Sequence, residues 1–404
     1  MNKLALNGGK KYKSKPFPKW PMYDAQELTL VEEVVKSNHW WRVGGSKVEE
    51  FEKKFATYHE VKHCLAISNG THAIELVLAA LEIGKGDEVI VPAFTFISTM
   101  TAVIYCNATP IPVDIDPNTL CMDVEAFEKA ITPRTKAVIP VHMAGHCCDM
   151  DKIKRIAKAH GIKVIEDAAH AHGAEWQGKK VGAYCDAATF SFQNGKIMTS
   201  GEGGAITTND PELYEKLYLI HGVGRPKGDR VYKHLYLGSN YRMTEFQGAV
   251  LIAQLERLEK QNYLRRKNAI LLNSYLKQVG GVIPQEYKDE ATINSHYMYM
   301  FYYEQESFGH MSREWFIDAL IAEGIPAFAA YPVVTNVEFY KNEDFRSHAN
   351  HAVQYSEDAF PISEKVANDV VWLPHFTLLG DEKDIEEIAG AITKIKELSR
   401  LTSF

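Results

Sequence analysis

One stretch decides the interpretation of this chain: Thr189-Phe-Ser-Phe-Gln-Asn-Gly-Lys196-Ile-Met-Thr-Ser-Gly-Glu-Gly-Gly204. Its first residues are apolar, β-branched and aromatic, as in a buried strand, and small polar residues then lead to a single lysine. The glycines beyond Lys196 tolerate unusual dihedrals and allow the backbone to approach a ligand closely. A lysine held at such a point can form a Schiff base with a carbonyl compound. Because lysines beside glycines are also common in solvated loops, the assignment depends on the residues upstream.

Composition bounds the possible functions. The 404 residues suffice for a large core and two domains, and 46% hydrophobic with 24% charged residues is ordinary for a soluble globular protein. A formal charge of -7 with no basic cluster argues against a nucleic-acid partner. No stretch approaches the roughly 18 continuous apolar residues of a membrane span. The basic segment from Met1 to Lys15 lacks the apolar core of a secretory signal.

The cysteines are predicted to be reduced thiols. The six of them show no CxxC pair and no scaffold spacing. Neighbouring residues such as Cys147 and Cys148 rarely satisfy the geometry of a disulfide. Reduced thiols are typical of the cytoplasm, which is the expected location.

Short apolar runs alternate with helical patterns from about residue 60 to 210. The pattern predicts strands at 63–67, 88–91, 109–114, 136–142 and 163–167. It predicts helices at 71–81, 124–131 and 151–160. Such alternation indicates an α/β fold, with a mostly parallel central sheet and helices on both faces. Ligand sites are then expected at the carboxyl ends of the strands.

The pattern changes beyond Arg242. Residues from Thr244 to about Lys277 predict one long helix, or two in tandem, which leads out of the sheet domain. A smaller C-terminal α+β domain should follow, with strands at 296–303 and around 326–328 and helices at 313–323 and 382–398. We therefore expect an N-terminal arm (1–35), a large α/β domain (36–260) and a small domain (261–404).

Two strand ends carry candidate binding residues. Ser68-Asn-Gly-Thr71 falls between a strand and a helix, where backbone N–H groups and the helix dipole favour a phosphate; a simple helix cap would explain it as well. Asp167 closes an apolar strand and could keep a pyridine nitrogen protonated, as in pyridoxal phosphate (PLP). A capping or salt-bridged aspartate is the alternative. His170 and His172 lack further ligands at metal-binding spacing, so we predict no metal site.

Two further segments have an ordinary and a functional interpretation. Phe96 follows the second strand and could stack on a flat cofactor ring or belong to the core. The polar turn Gly238-Ser-Asn-Tyr-Arg-Met243 carries an amide and a guanidinium. Either group could bind an oxyanion, and surface turn chemistry would account for both equally well.

The order of these signals is more specific than any one of them. Four features follow one another along the chain: a strand that leads through Gly-Thr into a helix, a strand followed by an aromatic residue, a strand that ends in Asp, and the pattern Ser-x-x-x-x-Lys followed by glycines. In this order the chain resembles the DegT/StrS class of PLP-dependent sugar aminotransferases, part of fold-type I, from about Trp20 to the C-terminus. Within the class it is most similar to the 3-amino-5-hydroxybenzoate synthase branch, through Trp40-Trp-Arg-Val-Gly-Gly45, Phe190-Ser-Phe-Gln-Asn-Gly-Lys196, Asn294-Ser-His-Tyr-Met298 and Pro326-Ala-Phe-Ala-Ala330.

The resemblance implies a role for each matching residue. Lys196 corresponds to the Schiff-base lysine, Asp167 to the partner of the pyridine nitrogen, and His170 to the neighbour of the ring hydroxyl. The stacking aromatic and the phosphate cradle correspond to Phe96, Gly70, Thr71 and Ser191. Asn240 corresponds to an amide that reaches the phosphate from the other subunit, which implies a homodimer with shared active sites. Weaker matches to the substrate region are Arg242, His296 and Tyr331.

The expected activity is a ping-pong transamination. Glutamate or glutamine would donate the amino group, and a ketone on a small cyclic ketosugar or cyclitol would accept it, in amino-sugar or secondary-metabolite biosynthesis. Most of the class carries His-Pro-Thr where this chain has Gln193-Asn-Gly195, as in the hydroxybenzoate-synthase branch. The alternative is therefore a PLP-dependent dehydration that aromatises an amino-dehydroshikimate. A non-catalytic PLP-binding regulator would need a recruiting module, and none is recognised.

Overall fold

Strands and helices alternate along the first half of the chain. The computed structural model describes residues 3–342, 355–356 and 358–400. Its strands are β1 (His63–Ile67), β2 (Glu88–Pro92), β3 (Thr109–Val113), β4 (Thr135–Val138), β5 (Lys163–Asp167), β6 (Glu175–Trp176), β7 (Lys179–Lys180), β8 (Ala187–Ser191), β9 (Gly204–Thr208), β10 (Val282–Pro284), β11 (Met298–Tyr303), β12 (Phe328–Ala329) and β13 (Val370–Pro374). Its helices are α1 (Ala25–Ser37), α2 (Lys47–Tyr58), α3 (Gly70–Ala80), α4 (Ser98–Tyr105), α5 (Val124–Lys129), α6 (Met150–His160), α7 (Pro211–His221), α8 (Glu245–Val279), α9 (Arg313–Ala322), α10 (Glu338–Lys341), α11 (Pro361–Asp369) and α12 (Glu382–Ser399).

A seven-stranded sheet organises the larger part of the molecule. Its strand order is β1-β9-β8-β5-β4-β2-β3. The β8-β5, β5-β4, β4-β2 and β2-β3 pairs are parallel, whereas β9 is antiparallel to both β1 and β8. All strands of this sheet except β9 therefore end at one edge, and β9 begins there. That edge collects the ends of β1, β5 and β8 and the connection that carries Lys196.

Helices cover both faces of this sheet. Along β5, Val164 belongs to one buried cluster and Ile165 to another, because successive side chains of a strand point to opposite faces. The Val164 cluster includes apolar residues of α2, α6 and the first half of α8, and the Ile165 cluster those of α3, α4 and α7. The predicted α/β architecture is therefore confirmed.

The predicted element bounds agree best where apolar runs end in polar residues. The strands predicted at 63–67 and 163–167 coincide with β1 and β5, and the long C-terminal pattern from Thr244 forms one helix, α8, of 35 residues. The elements that the sequence did not predict include β9, β13, α1, α2, α4 and α7. Helix α1 begins in the segment expected to be an arm and ends two residues beyond it, and Gln254 of α8 donates a hydrogen bond to Glu27 of α1 at 2.8 Å.

A second, smaller sheet stands beside the first. It is antiparallel, with the order β10-β11-β13-β12, and it packs with α9, α12 and the second half of α8 around a separate apolar cluster. Leu4 and Phe17 from the N-terminal segment are buried in the same cluster. Buried Glu323 holds that segment by accepting hydrogen bonds from the Ala5 and Tyr12 N–H groups, each at 2.8 Å. None of the described helices combines the length and the apolar character needed to traverse a bilayer.

We predict that acidification destabilises the fold partly through His59. Its ring is buried 4.4 Å from Phe55 and 4.7 Å from Phe190, and burial lowers its pKa from 6.5 to about 3. Below pH 6.5 the unfolded chain binds a proton at His59 that the folded chain does not. The free energy of unfolding therefore has its full value above pH 6.5 and decreases as the pH falls towards 3. The expected slope is about 1.4 kcal/mol per pH unit for one such histidine.

Urea unfolding at several pH values measures this effect. His59→Phe keeps an aromatic ring among the phenylalanines and should reduce the pH dependence of the unfolding free energy by up to one proton. The same substitution at His160, an exposed residue at the end of α6, is the control. Equal pH slopes for the wild type and the His59 variant would contradict the prediction.

Candidate active site

A close approach of backbone segments forms one side of the site. Helix α3 begins at Gly70, and the Asn69 side chain caps it by accepting a hydrogen bond from the His72 N–H at 2.8 Å. A Cβ atom on Gly70 would lie 2.7 Å from Ser191 Cβ, so only glycine fits against the end of β8. The Gly70 and Thr71 N–H groups have no acceptor within the described ranges. With the helix dipole, these N–H groups make a cradle for a phosphate.

Asp167 is a buried carboxylate at the end of β5. Its Oδ2 accepts a hydrogen bond from Thr99 Oγ1 at 2.8 Å, and its Oδ1 accepts one from the Ala169 N–H at 3.2 Å. The second bond closes a local turn of the kind that aspartate side chains often form with the backbone two residues further on. The alternative interpretation of Asp167 as a capping residue is therefore correct for one of its two oxygens. Thr95 Oγ1 lies 3.1 Å from Thr99 Oγ1 and extends the hydroxyl chain. The Thr99 hydroxyl thus fixes one carboxylate oxygen from a second element, α4.

His170 lies three residues beyond Asp167 and is buried. Burial lowers its pKa well below the usual value, and the nearby Lys196 charge adds to the shift, so the ring is neutral. Its Nδ1 has no hydrogen-bond partner within the described ranges. Ser295 Oγ donates to the His170 carbonyl at 2.8 Å and fixes the backbone at this point. A buried ring nitrogen without a partner is a position at which a ligand group can bind.

Lys196 reaches the same place from the β8–β9 connection. Its side chain is buried, and Nζ lies 4.4 Å from the centroid of the Tyr297 ring. The Tyr297 ring is stacked on His170, with centroids 4.3 Å apart and an interplanar angle of 29°. Lys196 and His170 therefore share one aromatic neighbour.

Tyr331 and Phe96 continue this aromatic group. Tyr331 is stacked on His170 at 6.3 Å, and Phe96 meets Tyr331 edge to face at 5.8 Å. Burial raises the pKa of Tyr331 well above its usual value, and Tyr297 and the Asp167 carboxylate add to the shift. The Phe96 side chain is 52% exposed, so it is no core residue within a single chain. An exposed aromatic face at this point is available for stacking.

Three candidate residues lie apart from this group within one chain: His296, Asn240 and Arg242. His296 is buried against Tyr287, with its Nδ1 3.4 Å from the Tyr287 hydroxyl, and burial lowers its pKa to about 3. Asn240 is exposed, and its side chain accepts a hydrogen bond from the Arg242 N–H at 3.4 Å. The roles of these three residues stay predictions.

Arg242 lines a separate cavity of about 680 Å³. Its guanidinium lies 5.7 Å from the Trp41 ring, and Tyr218, His221 and Arg42 line the same cavity. No residue of the Lys196 group lines it. Within one chain Arg242 therefore faces a different space from Lys196.

The residues that do come together fit PLP. The α3 cradle suits its phosphate, and Asp167 retains lone pairs for a protonated ring nitrogen. The unpartnered His170 Nδ1 suits a ring hydroxyl, and Phe96 offers a face for stacking. Lys196 supplies the amine. Within the described part of the chain, no group of three His, Cys, Asp or Glu residues could hold a metal ion.

Sequence reasoning missed two residues of the site. Thr99 is spaced four residues from Thr95 at the start of α4, and this helical spacing after a strand end was an available signal. Tyr297 lies within the Asn294–Met298 motif, from which only His296 was selected.

Comparisons with known proteins identify the family of the chain. Residues 21–393 match the DegT/DnrJ/EryC1/StrS aminotransferase family. The chain is 44% identical to 3-amino-5-hydroxybenzoate synthase from Amycolatopsis mediterranei, over 94% of this chain and 97% of that protein. It is 37% identical to L-glutamine:2-deoxy-scyllo-inosose aminotransferase from Streptoalloteichus tenebrarius, over 97% of both. The crystal structure of 3-amino-5-hydroxybenzoic acid synthase superposes with a TM-score of 0.88 at 42% identity, over 96% of this chain and 99% of that one.

We predict that Thr99→Val weakens PLP binding about tenfold or more. Valine has nearly the same shape as threonine but leaves Asp167 Oδ2 without its hydroxyl donor, and a hydrogen bond to a charged group contributes roughly 1.5–3 kcal/mol. Absorbance titration of the apoenzyme with PLP gives the dissociation constant. Thr101→Val, on the same helix and partly buried, is the matched control. Equal affinities for the two variants would refute the role of Thr99.

Proposed function

Because the chain belongs to the DegT/DnrJ/EryC1/StrS aminotransferase family and is a PLP-dependent aminotransferase, we propose that it aminates a ketone on a small six-membered ring, a cyclitol or ketosugar. One observation carries the proposal: Lys196, Asp167 and His170 come together beside the α3 phosphate cradle. The names of two relatives support the small ring, since one makes 3-amino-5-hydroxybenzoate and the other aminates 2-deoxy-scyllo-inosose.

L-glutamine is the donor that the relatives favour. Several inosose aminotransferases at 35–37% identity carry L-glutamine in their names. L-glutamate remains the second candidate, because the two amino acids present the same α-amino and α-carboxylate groups. Either donor leaves its nitrogen on the enzyme before the ring ketone binds, which is a ping-pong sequence.

The cofactor and the lysine divide the chemistry. When bound, PLP supplies an aldehyde that forms covalent bonds with amines and a ring that withdraws electrons from the adjacent carbon. The Lys196 amine holds the cofactor at rest and, once released, takes a proton from the donor's α-carbon and returns one to the cofactor's C4′. The buried position of Lys196 keeps bulk water from competing for that proton.

Asp167 and His170 orient and tune the ring. The Asp167 carboxylate would hold a proton on the pyridine nitrogen, and Thr99 keeps the carboxylate in place. Neutral His170 would offer its free Nδ1 to the ring hydroxyl. Phe96 would stack on the ring, and Gly70, Thr71 and Ser191 would hold the phosphate.

A homodimer would complete the site. The connection between α7 and α8 exposes large apolar side chains, among them Leu237, which is 97% exposed, together with Val231, Tyr232 and Leu235. Exposed apolar groups on one loop favour contact with another chain, and a second copy is the partner we propose. Asn240 and Arg242 follow in the same connection and would reach the partner's phosphate and substrate. The cytoplasmic location stays a prediction.

The alternative is a dehydration of the 3-amino-5-hydroxybenzoate synthase type. The 44% identity with that synthase favours it, as does the resemblance of Gln193-Asn-Gly195 to the hydroxybenzoate-synthase branch. In this reaction Lys196 removes a proton from the substrate ring and water leaves, with no net amino transfer. The two activities differ in stoichiometry, because transfer consumes one donor molecule for each product and dehydration consumes none.

We expect Lys196→Ala to abolish both the visible absorbance of lysine-bound PLP and turnover. The wild type mixed with L-glutamine should convert to the pyridoxamine spectrum, and a cyclic ketone such as 2-deoxy-scyllo-inosose should reverse the change. Turnover retained by the Lys196 variant would overturn the proposal. Product formed from an amino-dehydroshikimate without consumption of donor would favour the alternative.

Mixing two inactive variants tests the shared site. Co-expression of Lys196→Ala with Asn240→Asp yields mixed dimers in which one site carries both native residues and the other carries neither. Random pairing makes half of the dimers mixed, so we expect about a quarter of wild-type turnover. Activity no greater than the average of the separate variants would show that Asn240 does not act across the dimer.

A further inference from the structure

The Tyr297 ring is the group that faces the free amine of Lys196. Nζ lies 4.4 Å from the ring centroid, within the range of a cation–π contact. No carboxylate within the described ranges pairs with this amine. A lysine without a carboxylate partner in a buried site needs another stabilising group, and the electron-rich face of a phenol ring is such a group.

Other aromatic rings pack around Tyr297 in the described part of the chain. Burial lowers the pKa of His170 and of His375 well below the usual value, and the Lys196 charge adds to both shifts, so both rings are neutral. The Tyr297 ring lies nearly parallel to both, at 4.3 Å from His170 and 6.2 Å from His375. These two rings and Tyr331 hold Tyr297 in one orientation.

Gly195 lies close to the Tyr297 hydroxyl. A Cβ atom at position 195 would lie 3.2 Å from Gln193 Oε1 and 3.9 Å from this hydroxyl, and the second distance is an ordinary packing contact. The backbone of the lysine loop and the ring beneath the amine form one packed unit.

We propose that Tyr297 is a positioning residue that seats the Lys196 amine whenever it is not bonded to the cofactor. This inference rests on the proposed role of Lys196 as the PLP lysine. The ring stabilises the free ammonium group and keeps it beside His170. An amine bonded to PLP would no longer be a free ammonium group that the ring can stabilise, whereas the pyridoxamine form would leave the amine free. The ring therefore opposes the lysine-bound form and favours the form in which the amine is released.

The proposal predicts that removing the ring tightens PLP binding. Tyr297→Leu should bind PLP about three- to tenfold more tightly than the wild type, because bond formation no longer disrupts a cation–π contact. Its affinity for pyridoxamine phosphate should stay within twofold, since the amine is free before and after binding. Tyr297→Phe keeps the ring and should match the wild type for both ligands. Tyr302→Leu, on the strand β11 that follows Tyr297, is the control.

Titrating the apoenzymes with each ligand decides the matter. A merely structural role would weaken both ligands in Tyr297→Leu, and that result, or an unchanged PLP affinity, would overturn the inference. In a Lys196→Ala background the substitution should have no effect on PLP affinity, since the contact is absent. If the leucine variant does not fold, Tyr297 can be replaced by trifluorophenylalanine and compared with Tyr297→Phe, because fluorination nearly preserves the size of the ring and weakens its negative face. Tighter PLP binding by the fluorinated variant supports the proposal, and unchanged binding overturns it.

The same titrations separate this inference from the proposed function. A wild-type enzyme without the absorbance of lysine-bound PLP would refute the role of Lys196 itself. If the wild type shows that absorbance and Tyr297→Leu binds PLP with the same affinity as the wild type, only the positioning role of Tyr297 is refuted.

Discussion

Gly204 lies so close to the turn after β1 that its position constrains the whole site. A Cβ atom there would stand 2.5 Å from the Asn69 carbonyl carbon and 2.9 Å from the Gly70 nitrogen. Because β9 runs antiparallel between β1 and β8, this contact brings the lysine loop and the start of α3 to one edge. The phosphate cradle and the lysine are thus placed by the same packing of backbone on backbone, and no side chain at 204 is compatible with it.

Burial of charge then determines what this edge can bind. Asp167 is a buried anion with a hydroxyl and one N–H as donors, while the histidines around Lys196 are neutral. A buried carboxylate is stabilised by a cationic partner, and a protonated pyridine ring supplies one. Lys196 is a buried amine, and a free amine can bond to an aldehyde. The site could therefore accept a ring that carries a basic nitrogen and an aldehyde.

The sequence predicts the sheet and much of the site because the relevant signals are local. An apolar run that ends in Asp167 defines β5 to the residue, and the rule that parallel strands end at one edge brings together Gly70, Ser191 and Asp167. Strand β9 was missed because it begins in glycines, which carry no strand signal. Asn240 and Arg242 do not approach Lys196 within one chain, and a single sequence contains no information on how a second copy is placed.

The choice between His296 and Tyr297 shows a different reason for failure. His296 has a φ of 50°, in the left-handed region, two residues before β11 begins at Met298. The predicted strand 296–303 therefore starts too early, and the structure turns the ring of 296 towards Tyr287 and the ring of 297 towards Lys196. A Cβ atom on Gly195 would lie 3.9 Å from the Tyr297 hydroxyl, an ordinary contact distance, so the residue before the lysine and the residue before β11 pack side by side.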